Sequence, residues 1–315
     1  MPEVISLGEM MVMFVATDIG PLRSAVTFEK HVAGAEANVA IGLARLGHSA
    51  GWISRLGDDE FGRYILTFLR GEGVDVSHVE LDPEAPTGVA FKERREVGPR
   101  RVIYYRRGSA ASRMTPAILD REYLRTARYL HLTGITTALS PSCHETVRAA
   151  MRLARDLGVL VSFDPNIRLQ LRPAAEWRTV LTDLLPLCDL VLPGRDEATL
   201  ITGEEDPERA ARAILAYGPR LVVVKLGAEG ALAVTPETAV HVPGVRLPRI
   251  VDPVGAGDGF AAGFLAGQLR GFDLPQSLRL ANTVGAMAMT VLGDVEGLPT
   301  WREVQEFSVE QDVRR

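Results

Sequence analysis

Short apolar runs alternate with stretches of helical period over most of the chain. Val4–Gly8, Ala50–Leu56, Tyr129–Leu132, Val159–Asp164, Leu190–Leu192 and Arg220–Leu226 read as strands. Between them, Ala35–Leu46, Phe61–Gly71, Ser142–Leu157 and Pro207–Tyr217 place apolar residues three and four apart and read as helices. Gly47, Gly71, Gly158 and Gly218 stand at helix-to-strand junctions, where a left-handed C-cap suits glycine. Strands such as Leu221-Val222-Val223-Val224 are apolar at every position, which predicts burial on both faces. The pattern predicts an α/β fold, a three-layer α/β/α sandwich around a mostly parallel central sheet.

Two regions break the alternation. Met11–His31 and Thr87–Arg107 carry strand-like runs with no helix between them. The second holds Val89-Ala90-Phe91 and Val102-Ile103-Tyr104-Tyr105 on either side of a charged turn around Gly98-Pro99. They read as antiparallel strands apart from the main sheet, a small β-sheet built from inserts at about 11–33 and 87–110. Such a sheet suits a lid over a site at the sheet edge, or a surface for dimer contact. No repeat, linker or low-complexity segment divides residues 1–315, so one domain with a lid is expected.

Composition narrows the class. At 315 residues, 46% hydrophobic and with net charge −5, the chain buries a full core without staples and is not disordered. Two cysteines without metal-ligand spacing exclude a disulfide framework and a structural zinc site. No signal peptide or membrane-spanning apolar run is read, and no basic tail favours nucleic acid or a membrane. A cytoplasmic protein is expected. Of 35 basic residues only Lys30, Lys92 and Lys225 are lysine, so a lysine in a special place carries more information than an arginine.

The chemistry concentrates at Asp252-Pro253-Val254-Gly255-Ala256-Gly257-Asp258-Gly259-Phe260, a turn that runs into a helix of small residues. Gly255, Ala256 and Gly257 let backbone N–H groups converge without Cβ hindrance, and the helix N-terminus adds partial positive charge. Asp258 at the same end is expected to be charged at neutral pH and to accept a proton from a hydroxyl. An anion hole beside a base is what phosphoryl transfer to an alcohol requires. The alternative is a capped helix with Asp258 as the cap. The segment is not a P-loop, lacking Gly-Lys-Ser/Thr, and Phe260 takes the place of a dinucleotide fingerprint's third glycine.

A second segment, Gly34-Ala35-Glu36-Ala37-Asn38-Val39-Ala40, opens the helix that closes at Gly47. Together the two resemble the signature motifs of the ribokinase-like (PfkB) carbohydrate kinases, and the resemblance runs from Gly8-Glu9 to Gly297. Ala33 and Pro253 are departures, standing where the motifs often have glycine and threonine. The resemblance implies that Asp258 is the base activating a sugar hydroxyl, with Gly255, Ala256 and Gly257 holding the transferring phosphoryl. It implies ATP against Lys225, Gly227 and Gly230, with Asn282 lining the adenine pocket. It also implies Mg2+, placed in the family by an Asn-x-x-Glu motif. Here that stretch keeps Glu197, acting through water, but has Gly194 for the asparagine. Related kinases bind a monovalent cation near the second motif, and this sequence does not locate one.

Fructokinases of the family carry an aspartate five residues after the glycine of the first strand, where this chain has Met13. Tyr104-Tyr105-Arg106-Arg107 and Asp164-Pro165-Asn166-Ile167-Arg168 are instead similar to 2-keto-3-deoxygluconate kinases. That resemblance implies that Tyr104, Arg106 and Arg168 hold a substrate's acidic end, arginine's fork matching a carboxylate. Gly34, Asn38, Ile135 and Asp294 complete the substrate contacts, and Asn166 and Arg168 also face the nucleotide. The expected activity is ATP-dependent phosphorylation of the C6 hydroxyl of 2-keto-3-deoxy-D-gluconate. The alternatives are a fructokinase or other neutral-sugar kinase, and a non-catalytic sugar-acid sensor. A homo-oligomer through the lid sheet is expected.

Overall fold

The computed structural model describes residues 1–95 and 101–313, with backbone alone over 308–313. The turn at Gly98-Pro99 lies outside the described residues. In chain order the strands are β1 Val4–Leu7, β2 Met11–Ile19, β3 Phe28–Ala33, β4 Ala50–Gly57, β5 Val79–Asp82, β6 Val89–Arg94 and β7 Val102–Tyr105. They continue with β8 Tyr129–Thr133, β9 Leu160–Asp164, β10 Leu190–Val191, β11 Leu221–Lys225, β12 Ala231–Val234 and β13 Ala239–Val242.

Nine of these form one sheet in the order β13-β12-β11-β10-β9-β8-β1-β4-β5. Every pairing from β5 to β11 is parallel, and only β12 and β13 run antiparallel. Val222 and Val224 enter the apolar core on one face while Val223 enters the core on the other, so both faces of β11 are buried. Helices Ala35–Arg45, Glu60–Gly71, Ala256–Leu269 and Leu274–Ala288 cover one face. Pro141–Asp156, Ala174–Leu184 and Pro207–Leu215 cover the other. Trp52 and Trp177 are wholly enclosed, one in each core, and truncating either to alanine costs about 3–5 kcal/mol.

The topology also marks a crevice at β1. β1 has β4 on one side and β8 on the other, so the chain builds outward in both directions from it. In open parallel sheets the crevice beyond the strands' carboxyl ends at such a switch is the binding site.

β2, β3, β6 and β7 form the separate small sheet, in the order β3-β2-β6-β7. Its two hairpins are antiparallel as expected, but they join through a parallel β2–β6 pairing. β2 follows β1 and β6 follows β5, two strands that run the same way in the main sheet, so both leave its carboxyl edge in the same direction. Phe91 binds this sheet together, stacking on Phe14 at 5.2 Å and meeting Phe28 and Tyr105 edge-on.

One glycine differs from the sequence reading. Gly71 stays within its helix, and the left-handed residue is Gly73 at φ +78°, because the helix carries on to a C-cap at Glu72. Gly47, Gly158 and Gly218 do take positive φ. Helices Ala174–Leu184 and Leu274–Ala288 had no counterpart in the sequence reading. Among the described residues no helix is long and apolar enough to cross a membrane.

Candidate active site

The Ala256–Leu269 helix is apolar all round because it is enclosed all round, packed between two neighbours. Its small residues make this possible: a β-carbon on Gly263 would lie 2.9 Å from the Ala281 Cα. The helix end is then fixed by Gly255, at φ +79°, where a β-carbon would lie 2.2 Å from the Asp294 carbonyl oxygen. Only glycine fits that turn. Gly255 and Gly257, at the start of this helix, line a cavity, with the helix dipole behind them.

Asp258 is the third residue of the helix and does not close on the helix's own amides. Its Oδ2 accepts from Asn38 Nδ2 at 2.7 Å, a bond between residues 220 positions apart. The side chain is half-buried, opening on a cavity while protein surrounds it on the other sides. Burial pushes its pKa up to about 7; the Asn38 hydrogen bond pulls it down, and Asp164 and Asp294 push it up further. The expectation of a fully charged carboxylate at neutral pH is therefore corrected. Burial outweighs the Asn38 hydrogen bond, and the group titrates near neutrality.

That cavity, of about 930 Å³, is lined by all eight residues expected to touch substrate: Gly34, Asn38, Tyr104, Arg106, Ile135, Arg168, Asp258 and Asp294. Met13 is on its wall as well. Asn166, expected at the nucleotide, lies here too, and it is the one non-glycine residue with positive φ among the described residues, at 41°.

The two arginines differ in their surroundings. Arg106 is already paired: its Nε donates to Glu9 Oε2 at 2.6 Å, and Ser109 Oγ donates to the other Glu9 oxygen at 2.5 Å. Arg168 is exposed and has no carboxylate partner among the described residues; its Nη1 donates to the Ile167 carbonyl at 3.1 Å. Of the two, Arg168 is the cation free for an anionic ligand.

A second cavity, of about 650 Å³, collects the residues expected at the nucleotide: Lys225, Gly227, Gly230, Ala256, Gly257 and Asn282. Lys225 and Gly257 line both cavities. A β-carbon on Gly257 would lie 3.7 Å from Lys225 Nζ, so the ammonium stands beside the helix-start amides where the cavities meet. Lys225 donates to Asp164 Oδ2 at 2.6 Å, and its pKa is raised because Asp164 and Glu197 outweigh the cost of burial. Asn282 donates to the carbonyls of Val242 and Pro243, holding β13's end against its helix.

Glu197 is committed to the backbone. Its Oε1 accepts from Ile167 N at 2.6 Å and its Oε2 from Gly194 N at 2.7 Å. Burial, with Asp164 beside it, raises its pKa. Among the described residues no group of three or more histidine, cysteine, aspartate or glutamate side chains could hold a metal ion. The donor set thus suits a Mg2+ that arrives on a triphosphate and keeps its water, with Asp164 and Glu197 beside it, and not a cage of protein ligands.

Several groups on the walls escaped sequence reasoning. Glu9 and Lys92 are buried and far in sequence from their partners, so nothing local marks them. Glu36 lies inside the first motif, yet its role shows only in the fold: Thr133 and Thr136 hydroxyls donate to its Oε1 at 2.7 and 2.6 Å. Burial raises its pKa. Asp294, by contrast, was among the substrate contacts the resemblance implied; it is buried at the cavity wall, its pKa pushed up to about 7 by burial, with Lys92 lowering it and Asp252 raising it.

The model of the pfkB family of carbohydrate kinases matches residues 1–301. The chain is 42% identical to a 2-dehydro-3-deoxygluconokinase of Bacillus subtilis (strain 168), over 97% of this chain and 95% of that protein. It is 42% identical to a 2-dehydro-3-deoxygluconokinase of Thermoproteus tenax, over 98% of this chain and 94% of that one. A solved structure from E. coli, described as a ribokinase II in complex with ATP and Mg2+, superposes with a TM-score of 0.91 at 31% identity. That likeness covers 98% of this chain and all of the other.

Proposed function

We propose that this chain, which belongs to the pfkB family of carbohydrate kinases, transfers the γ-phosphoryl of ATP to the C6 hydroxyl of 2-keto-3-deoxy-D-gluconate. The observation that carries this reading is the junction of the two cavities at Gly257 and Lys225, with Asp258 opening on one side of it. A sugar in the larger cavity and a triphosphate in the smaller then meet at the helix-start amides. The 42% identical relatives support the choice of sugar. So does an unpaired Arg168 facing the larger cavity, and so does Met13 in place of a carboxylate that would bind a neutral sugar's hydroxyls.

Each group then has a task. Arg168 takes the substrate carboxylate, and Arg106, held by Glu9, offers its remaining N–H groups beside Tyr104. Asp258 removes the C6 hydroxyl proton as that oxygen attacks the γ-phosphorus. The bond from γ-phosphorus to the bridging oxygen breaks, and ADP departs with the electron pair. The amides of Ala256 and Gly257, with the Lys225 ammonium, stabilise charge on the transferring group. Asp164 and Glu197 would be the carboxylates to stand beside a water-bearing Mg2+ bound with ATP, which would supply charge neutralisation of the triphosphate. The small sheet serves as a lid that excludes water, whose attack would hydrolyse ATP. Its outward face, where Ile103 and Tyr105 stand exposed, is the surface for self-assembly, which light scattering tests. A cytoplasmic setting suits the two free, buried thiols, Cys143 and Cys188.

The test is sugar-dependent ADP release with Mg-ATP on 2-keto-3-deoxygluconate, 2-keto-3-deoxygalactonate, fructose and ribose. The expected preference for the keto-deoxy acids is 100-fold or more, about 2.7 kcal/mol in the transition state. A preference for fructose or ribose would reassign the chain to neutral sugars. Asp258→Asn is expected to lower kcat far more than tenfold, and a loss within tenfold would remove Asp258 as the base.

A further inference from the structure

Lys92 is one of three lysines in the chain and lies on β6, in the middle of the small sheet. It pairs across the sheet with Val15 and Val102. Its side chain does not turn to solvent. The ammonium donates to Asp252 Oδ2 at 2.5 Å, with 3% of the lysine side chain and none of the aspartate exposed. A buried ion pair of this kind costs desolvation on both sides, and breaking one partner leaves an uncompensated charge. Mere attachment of a small sheet does not call for such a pair, since apolar contacts would do it without that cost.

The position of Asp252 is what gives the pair a purpose. It is the first residue of the turn that ends at Gly255, the residue before the amides at the helix start. Asp252 also receives the backbone N–H of Val254 on Oδ1 and of Gly293 on Oδ2, both at 3.4 Å. Gly293 adjoins Asp294, whose backbone is the ledge against which Gly255 packs. A second bond ties the same ledge to the small sheet, His31 Nδ1 on β3 to Glu296 Oε1 at 2.5 Å. The small sheet, the ledge and the amide-bearing turn are therefore one connected unit, and Lys92 is its single buried cation among the described residues.

We propose that Lys92 is a positioning residue: its ammonium, held on Asp252, fixes the turn that aims the anion-binding amides and couples that turn to the small sheet. This rests on the phosphoryl-transfer reading above. Lys92 makes no step of the chemistry itself. A loosened turn misplaces donors that act on the transferring group, while Arg168, which lies outside the small sheet, keeps its place on the sugar's acidic end. The signature is a loss in kcat with little change in the sugar's KM.

The experiment compares the parent full-length chain with Lys92→Met and with the double variant Lys92→Met/Asp252→Asn, which removes both charges at nearly constant volume. Steady-state ADP release and amide hydrogen exchange over residues 252–259 are measured on each. Both variants are expected to lose 30-fold or more in kcat with the sugar KM within threefold, and exchange at 254–257 is expected to rise at least tenfold. Ethylammonium chloride is expected to restore kcat of a Lys92→Ala variant at least tenfold, where sodium chloride of equal ionic strength does not. Should Lys92→Met fail to fold, the double variant carries the test. A folded variant with kcat within threefold of the parent and unchanged exchange would overturn the proposal. If no sugar supports turnover by the parent but exchange still rises, the tether stands and the kinase reading falls.

Discussion

The titration of Asp258 gives the most demanding test of the site. Its pKa of about 7 is the outcome of burial, raised by Asp164 and Asp294 and opposed by one hydrogen bond from Asn38 at 2.7 Å. A base must be unprotonated to act, so kcat/KM is expected to rise with pH through about 7 with unit slope and then level. Asn38→Ala deletes the opposing bond. A hydrogen bond to a charged group contributes about 1.5–3 kcal/mol. At 1.36 kcal/mol per pKa unit, the acid limb moves up by about one to two pH units. At pH 6 the variant then loses about ten- to hundredfold in addition to any loss of sugar contact, and recovers most of that loss by pH 9. Asp294→Asn deletes a neighbouring acid and moves the limb the other way. The assay is ADP release at saturating Mg-ATP and constant ionic strength from pH 5.5 to 9.5. A parent profile flat down to pH 5.5, or a limb that stays in place in Asn38→Ala, would refute this account of the base.

Three further outcomes follow from the geometry. Arg168→Ala is expected to raise the KM for the acid sugar tenfold or more, and an unchanged KM and kcat would take Arg168 out of the site. Gly255→Ala forces a β-carbon to 2.2 Å from the Asp294 carbonyl at φ +79°, so kcat should fall at least 100-fold even in protein that remains folded. Activity within fivefold of the parent would show that the turn is not held as described. The pKa of His31 is raised, first by its hydrogen bond to Glu296. Its contribution is fully present below the unfolded value near 6.5 and is lost as pH rises through the raised one. The Tm difference between parent and Glu296→Gln is therefore expected to be largest near pH 6 and smaller at pH 9, and a pH-independent difference would count against the pair.

Much of the fold was legible because its causes are local. A run such as Leu221–Val224 has no polar face in any register, so a strand buried on both sides is the only place for it. Helices Ala35–Arg45 and Pro141–Asp156 carry their period and their stop signals within a dozen or so residues. The helix Leu274–Ala288 was missed although its start is marked locally by Asp273, Pro275 and Gln276, and its packing against Ala256–Leu269 shows only in the fold. The parallel joining of the two hairpins was missed for a related reason: register between β2 and β6 depends on where each strand leaves the main sheet.

The site divides in the same way. Gly255-Ala256-Gly257-Asp258 by itself allows either an anion-binding helix start with an adjacent acid or a plain capped helix, and it is the pairing with Gly34–Ala40 in the family's two motifs that favours the first. The layered α/β class, the separate small sheet and the family's two motifs can likewise be read along the chain. The raised pKa of Asp258, the capture of Arg106 by Glu9, the contact of Lys225 with Asp164 and the burial of Lys92 on Asp252 arise in the folded chain alone. These join residues 97, 61 and 160 positions apart, and their strength depends on how much water the fold excludes. Propensity and turn chemistry act over a few residues and can be read in order along the chain. Charge pairing and desolvation act through space, and the chain has no space until it folds.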